Sequence, residues 1–258
     1  MPFAPAEGTE IYYEVHGQGP HLVMCHGIGS NRLHWWQQVC VFMKEFTVVV
    51  FDHRGFGSTL SGGRSASKFT DDLIGLLDHL KIDRTHLLGQ SMGGFTAAGL
   101  AARQPERIRT LTLTSGTGGL IPTPPDPERM RLLATADYYL ALAPVLARMD
   151  AFPERHPELF FLFEEMTQLN RDVDIRRLLP ELGQIRPDLK RVAAASIPTL
   201  MLAGGDDRHA ISSMSELAKA LPNARFVTIA NTGHLLFFEE PKKFNASVLE
   251  FLRANSGA

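Results

Sequence analysis

The chain has 258 residues, 44% hydrophobic and 21% charged, a globular composition suited to one large α/β domain with a sizeable core. A formal net charge of −2 with no basic run argues against nucleic-acid binding, and no apolar stretch reaches membrane-spanning length. Two cysteines, Cys25 and Cys40, make no disulfide framework, and Met1-Pro2-Phe3-Ala4-Pro5 lacks the basic and apolar parts of a secretory signal, so the expected compartment is the cytoplasm.

Thr9-Glu10-Ile11-Tyr12-Tyr13-Glu14-Val15 alternates in hydropathy and predicts one strand of a hairpin, ended by His16-Gly17-Gln18-Gly19-Pro20. Leu22-Val23-Met24-Cys25 is a short apolar run of the kind buried on both faces of a parallel sheet. It opens into His26-Gly27-Ile28-Gly29-Ser30-Asn31 and an amphipathic helix near 33–44. Phe46-Thr47-Val48-Val49-Val50-Phe51 predicts the next buried strand and ends in Asp52-His53-Arg54-Gly55-Phe56-Gly57-Ser58. A helix over about 67–80 follows, then the apolar run Thr85-His86-Leu87-Leu88, a helical pattern from Phe95 to Ala102, and a strand from Ile108 to Thr114. Between Gly119 and Lys190 the rhythm breaks, and prolines with helical patches at 138–142 and 159–166 replace the strands. It resumes with a strand at 197–203, a helix near 212–221, a strand at 225–229, and a closing helix over about 242–254 with Pro241 near its first turn. The alternation predicts an α/β fold with a mostly parallel central sheet flanked by helices. Residues 1–118 and 191–258 form its core domain, and 119–190 an inserted helical lid. Asn245-Ala246-Ser247 fits a glycosylation pattern but lies in a predicted helix of a chain expected to stay unsecreted, and is discounted.

The stretch Leu87-Leu88-Gly89-Gln90-Ser91-Met92-Gly93-Gly94 reads as strand, sharp turn and helix, with Ser91 at the apex. Glycines two residues before and after the serine remove side chains where strand and helix would collide, and let the hydroxyl project into open space. A nucleophilic serine needs a base, and the base an orienting acid. Among ten histidines, His234 stands out because it lies just past the C-terminal end of a predicted strand, where catalytic groups gather in open α/β sheets. Gly204-Gly205-Asp206-Asp207 supplies two acids after the preceding strand, and the residue types alone leave both open. Ser115-Gly116-Thr117-Gly118-Gly119, the stretch after the strand that precedes the break in rhythm, holds no carboxylate.

Five stretches taken together resemble the α/β-hydrolase superfamily over essentially the full chain. They are His26-Gly27-Ile28-Gly29, Asp52 through Ser58, Gly89 through Gly94, Gly204 through Asp207, and Gly233-His234 with Glu239-Glu240-Pro241. The resemblance is to the lidded esterase, lactonase and C–C hydrolase branch. It implies the α/β-hydrolase fold and a Ser91, His234, Asp207 triad, the Gly-x-x-Asp pattern begun at Gly204 selecting Asp207. It further implies an oxyanion hole from the backbone N–H groups of Ile28 and Met92, and structural rather than catalytic roles for His26 and the 52–58 turn.

The expected activity is a serine hydrolase acting through an acyl-enzyme on a small-to-medium ester, lactone or related carbonyl compound. The alternatives are a C–C bond hydrolase for meta-cleavage products, an acyltransferase, a cofactor-free perhydrolase, and a hydrolase-like ligand receptor. Phe160, Phe163 and Met166, in an aromatic lid cluster with Phe161, are the expected substrate-binding residues for an apolar or aromatic acyl group. Metal-ligand spacing is lacking and Gly55-Phe56-Gly57 has no further dinucleotide fingerprint, so no metal or cofactor is expected. Neither nucleic acid nor membrane is an expected partner; a homodimer is left open.

Overall fold

The apolar runs become the centre of a sheet, because strands buried on both faces can offer side chains to two cores at once. The strands are β1 (Phe3–Ala6), β2 (Thr9–His16), β3 (His21–Cys25), β4 (Thr47–Phe51), β5 (Thr85–Gln90), β6 (Ile108–Thr114), β7 (Thr199–Gly204) and β8 (Ala224–Ile229). The computed structural model describes residues 2–63, 65–122 and 152–256, and in it these form one eight-stranded sheet in the order β1-β2-β4-β3-β5-β6-β7-β8. β2 runs antiparallel to both its neighbours; every other pairing is parallel.

Around the sheet lie α1 (Trp36–Phe42), α2 (Phe69–His79), α3 (Met92–Arg103), α4 (Phe152–Arg155), α5 (Pro157–Thr167), α6 (Ile175–Gln184), α7 (Leu189–Ala194), α8 (Arg208–Ala220), α9 (Leu236–Glu239) and α10 (Pro241–Ala254). The two-residue period of each strand divides its side chains between two cores. Val23, Cys25, Val49, Leu87, Leu111 and Met201 pack with α2, α3, α7 and α8 on one face. Leu22, Met24, Val48, Val50, Leu88 and Leu202 pack with α1, α9 and α10 on the other, and Phe152 and Met166 of α4 and α5 join them. A smaller cluster sets Leu178, Leu179 and Leu182 of α6 against Phe56, Phe69 and Met92. Within the predicted lid the described residues from 152 to 190 carry helices and no strand, whereas the helical patch at 138–142 lies outside the described residues.

Three local differences from the sequence reading have physical causes. β1 carries no strand signal in the sequence, since Pro2 and Pro5 argue against a strand; it lies at the sheet edge, where a missing N–H is tolerated. The first helix splits into a 3₁₀ turn, Arg32–Trp35, and α1, because Asn31 caps the turn and His34 reaches back to the Asn31 N–H. α8 begins at Arg208, earlier than its apolar pattern suggests, because Asp207 caps it through the Ala210 N–H at 3.0 Å. Asn245 is buried in α10 and hydrogen bonds to Gln38 and Gln37, which leaves no exposed acceptor for a glycan.

Candidate active site

The strand order reverses between β3 and β5: after β3 the chain crosses to β4 on one side and returns to β5 on the other. At such a reversal the loops leaving the two strands diverge and open a crevice above their C-terminal ends. Register pairs Cys25 with Gly89, so the loop after β3 stands beside Ser91. Gly204 pairs with Ile229 on the far side, which gathers the loops after β7 and β8 in the same way.

Ser91 has φ 49° and ψ −110°, a strained backbone for a residue with a side chain. The strain is imposed by close packing. A Cβ on Gly89 would lie 2.6 Å from the Gly93 carbonyl oxygen, and one on Gly93 would lie 2.1 Å from that of Cys25. Only glycine permits the strand to turn this sharply into α3. Ser91 N–H donates to the Thr114 carbonyl at 2.9 Å, tying the apex to β6.

The loop after β8 folds back across the sheet ends to bring His234 to this apex. The Asp206 N–H donates to the Thr232 carbonyl at 2.9 Å, the Ser115 hydroxyl to the His234 carbonyl at 2.7 Å, and the Gly233 N–H to the buried Glu239 carboxylate at 3.1 Å. So held, the imidazole places Nε2 3.1 Å from Ser91 Oγ and Nδ1 2.7 Å from Asp207 Oδ2. Asp207 accepts from the Ala210 N–H through its other oxygen at 3.0 Å, so one carboxylate both caps α8 and meets the imidazole. Burial raises the Asp207 carboxyl, but the bond and charge of His234 and the Ala210 N–H outweigh it and hold the group below its usual range. Asp206 points outward instead and pairs with Arg155 at 2.8 Å.

Beside Ser91, Met92 opens α3, so its N–H is among those that a helix start leaves without an intrahelical acceptor. Ile28 is the second residue of a turn closed by the Ser30 N–H on the Gly27 carbonyl at 3.2 Å. Among the described residues neither the Ile28 nor the Met92 N–H has an acceptor outside regular secondary structure. His26 is engaged structurally: Nδ1–H donates to the Gly27 carbonyl at 2.8 Å and Nε2 accepts from the His53 N–H at 3.0 Å. The 52–58 turn is likewise occupied, Asp52 by Arg32 and the Ser58 N–H, Arg54 by Asp72.

The profile of the alpha/beta hydrolase family matches residues 22–247. The chain belongs to this family. Over 267 aligned residues it is 27% identical to a protein of Azorhizobium caulinodans provisionally named carbamate hydrolase RutD, covering 97% of this chain and 98% of the relative. Among solved structures, the enol-lactonase of Burkholderia xenovorans LB400 superposes with a TM-score of 0.79 at 27% identity, covering 98% of this chain and all of the other. A thermophilic esterase of Thermogutta terrifontis reaches a TM-score of 0.83 at 26% identity, with 96% of this chain and 94% of the esterase covered. This chain is an enzyme of the alpha/beta hydrolase family.

The remaining predicted site residues of this hydrolase lie on α5. Phe160 meets Phe152 edge-on at 5.6 Å, and Phe163 meets Phe238 at 5.6 Å and His34 at 4.7 Å. These rings form an aromatic patch that continues into Leu235–Phe238, directly after His234. Met166 is buried in the same cluster, whereas Phe161 is 64% exposed. His34 is neutral: its Nδ1 accepts from the Asn31 N–H, its Nε2–H donates to the Phe163 carbonyl at 3.3 Å, and burial pushes its pKa down to about 3. Sequence reasoning gave no role to Ser115, Glu239 or His34. A polar residue at a strand end signals Ser115, and nothing in the pattern signals His34, whose partner is a backbone atom 129 positions away. Among the described residues no three His, Cys, Asp or Glu side chains converge as a metal site, and no helix is long and apolar enough to cross a membrane.

Proposed function

We propose that this hydrolase is a serine hydrolase cleaving small-to-medium carboxylic esters, lactones or closely related acyl compounds through a covalent acyl-enzyme. The observation that carries the reading is the unbroken hydrogen-bonded series from Ser91 Oγ through His234 to Asp207. As Oγ attacks the acyl carbon, its proton moves to His234 Nε2, and Asp207 holds the Nδ1–H tautomer and stabilises the imidazolium. The carbonyl oxygen becomes an oxyanion that accepts from the Ile28 and Met92 N–H groups, donors already in place before charge develops. Collapse breaks the acyl–oxygen bond, and Nε2–H protonates the departing alkoxide. Water, deprotonated by the same nitrogen, then attacks the acyl-Ser91 carbonyl and releases the acid and free Ser91.

The carbamate, enol-lactone and ester named for the relatives share an acyl carbon bearing a heteroatom leaving group, which supports this substrate class. In the lid segment the described residues 152–190 cover the crevice, with Phe160, Phe163 and Met166 on the apolar wall that receives the acyl group. The three side chains and both amides belong to one chain, so the chemistry requires no second copy. Free thiols at Cys25 and Cys40 suit a reducing cytoplasm. A panel of p-nitrophenyl esters, lactones, carbamates and meta-cleavage dienoates tests the reading. Steady multiple turnover on esters or lactones, abolished in Ser91→Ala, is the expected result; turnover restricted to C–C substrates, or a single slow turnover, would replace it.

A further inference from the structure

The turn that carries Ile28 is held from outside itself. Gly29 has φ +74°, the conformation required at the third position of a type II turn, and the N–H of the second residue takes no part in closing such a turn. Two carbonyls of this turn face the end of α5. The Thr167 hydroxyl lies 2.7 Å from the Gly29 carbonyl and 2.9 Å from the Phe163 carbonyl of its own helix, and its one proton goes to the nearer Gly29 oxygen; Asn170 Nδ2 donates to the Gly29 and Ser30 carbonyls at 3.1 and 3.2 Å. Asn170 Oδ1 accepts from the Gly57 N–H at 2.9 Å and from Asn31 Nδ2 at 3.2 Å. Asn31 Nδ2 also reaches the Met166 carbonyl at 2.8 Å. All four hydrogen-bonding positions of the Asn170 amide are therefore used, and its orientation is fixed: rotating it would set oxygen against two carbonyls and NH₂ against two donors.

We propose that Thr167 and Asn170 are positioning residues for catalysis, holding the Gly27–Ser30 turn so that the Ile28 N–H points at the developing oxyanion; this rests on the serine-hydrolase reading above. Three donors on two adjacent carbonyls restrain the turn where it would otherwise twist about Gly29, the position with the fewest steric limits. The oxyanion site is thus built jointly by the start of α3, which supplies Met92, and by the end of α5 with the turn after it, which fix Ile28. A loosened turn still admits substrate but stabilises the transition state less, so the loss falls on kcat rather than KM.

The test compares Thr167→Val, Asn170→Ala and the hydroxyl-retaining Thr167→Ser with wild type. It measures kcat and KM on p-nitrophenyl acetate, inhibition by a trifluoromethyl ketone whose adduct with Ser91 carries an oxyanion, and amide hydrogen exchange at residues 27–31. Removing an oxyanion donor outright costs ~10²–10³-fold in kcat, so misplacing one should cost roughly 10- to 100-fold. The expected result is that loss for Asn170→Ala, a smaller one for Thr167→Val, KM within about threefold, inhibition weakened in parallel, and faster exchange at the turn. Thr167→Ser should stay near wild type. Variants that keep wild-type kcat, or that raise KM alone, overturn the positioning role, as does a kcat loss that leaves ketone inhibition unchanged. A wild type with neither turnover nor a ketone adduct at Ser91 overturns the hydrolase reading itself and this proposal with it. Wild-type turnover with unaffected variants overturns the positioning role only.

Discussion

Asp206 and Asp207 are chemically identical neighbours with different surroundings. Asp207 is buried at the start of α8 and meets His234, while Asp206 is 40% exposed and meets Arg155. Asp207→Asn should lower kcat by ~10³–10⁴-fold with the fold intact, because an amide favours the wrong imidazole tautomer. Asp206→Asn removes an ion pair at the surface, worth at most about 1 kcal/mol, and should change kcat by less than about threefold. Steady-state kinetics on the two purified variants decides the matter, and reversed effects would make Asp206 the acid. The sequence marked this pair but could not separate its members, since adjacent loop side chains can point either way. The signal that separates them is the cap: an Asp directly before a helix, three residues ahead of the N–H that it binds.

At the scale of elements, α5 shows where pattern reading stops. Its apolar residues read as a lid face, yet the face divides: Phe160 and Phe163 turn toward Phe152, Phe238 and His34, while Phe161 faces outward. Phe163→Ala should shift preference away from longer or aromatic acyl groups while sparing acetate esters, and should also lower Tm by a few degrees because the half-buried ring's contacts with Phe238 and His34 are lost. Phe161→Ala should change stability by less than about 0.5 kcal/mol. Thermal melts beside a chain-length series read both effects, and equal losses on every ester for Phe163→Ala would make the ring a packing residue only. The sharp strand-to-helix turn at Ser91 was legible, because Gly89 and Gly93 answer a local steric demand that any turn of this sharpness makes. Thr167 and Asn170 were not legible: one is a polar residue at a helix end and the other a polar residue in the turn after it, and their partners lie 113 to 141 positions away in the chain.

Across the whole molecule, the sheet was legible as a parallel α/β core because continuous apolar runs recur at regular spacing. Its order was not, since the crossing from β4 past β3 to β5 depends on contacts that no local pattern encodes. The fold also buries several histidines as neutral groups, which makes its stability depend on pH. Burial pushes His26 and His86 down to about 4 and His34 to about 3, and holds His53 well below its usual range. Below pH 6.5 the unfolded chain takes up protons that these side chains refuse when folded, so stability falls as pH drops from about 6.5 toward 4. Each of the four therefore works against the folded state once the pH falls below about 6.5. Burial raises Asp52 and Asp72 against the pull of their arginine partners, and they act in the opposite sense nearer the ordinary carboxylate range. Tm should therefore drop by roughly 10 °C or more between pH 7 and pH 5, with part of the drop removed in His34→Gln. A melting temperature flat over that interval would contradict the neutral burial of these groups.

In the proposed mechanism Ser91 is a nucleophile activated by His234. A fluorophosphonate tests it directly, because it reacts only with an activated hydroxyl and leaves a stable adduct whose mass and position can be read. The expected result is one adduct per chain, located at Ser91, with esterase activity lost in proportion, and no adduct in Ser91→Ala or His234→Ala. Labelling at another residue, or full activity in a chain modified at Ser91, would contradict it.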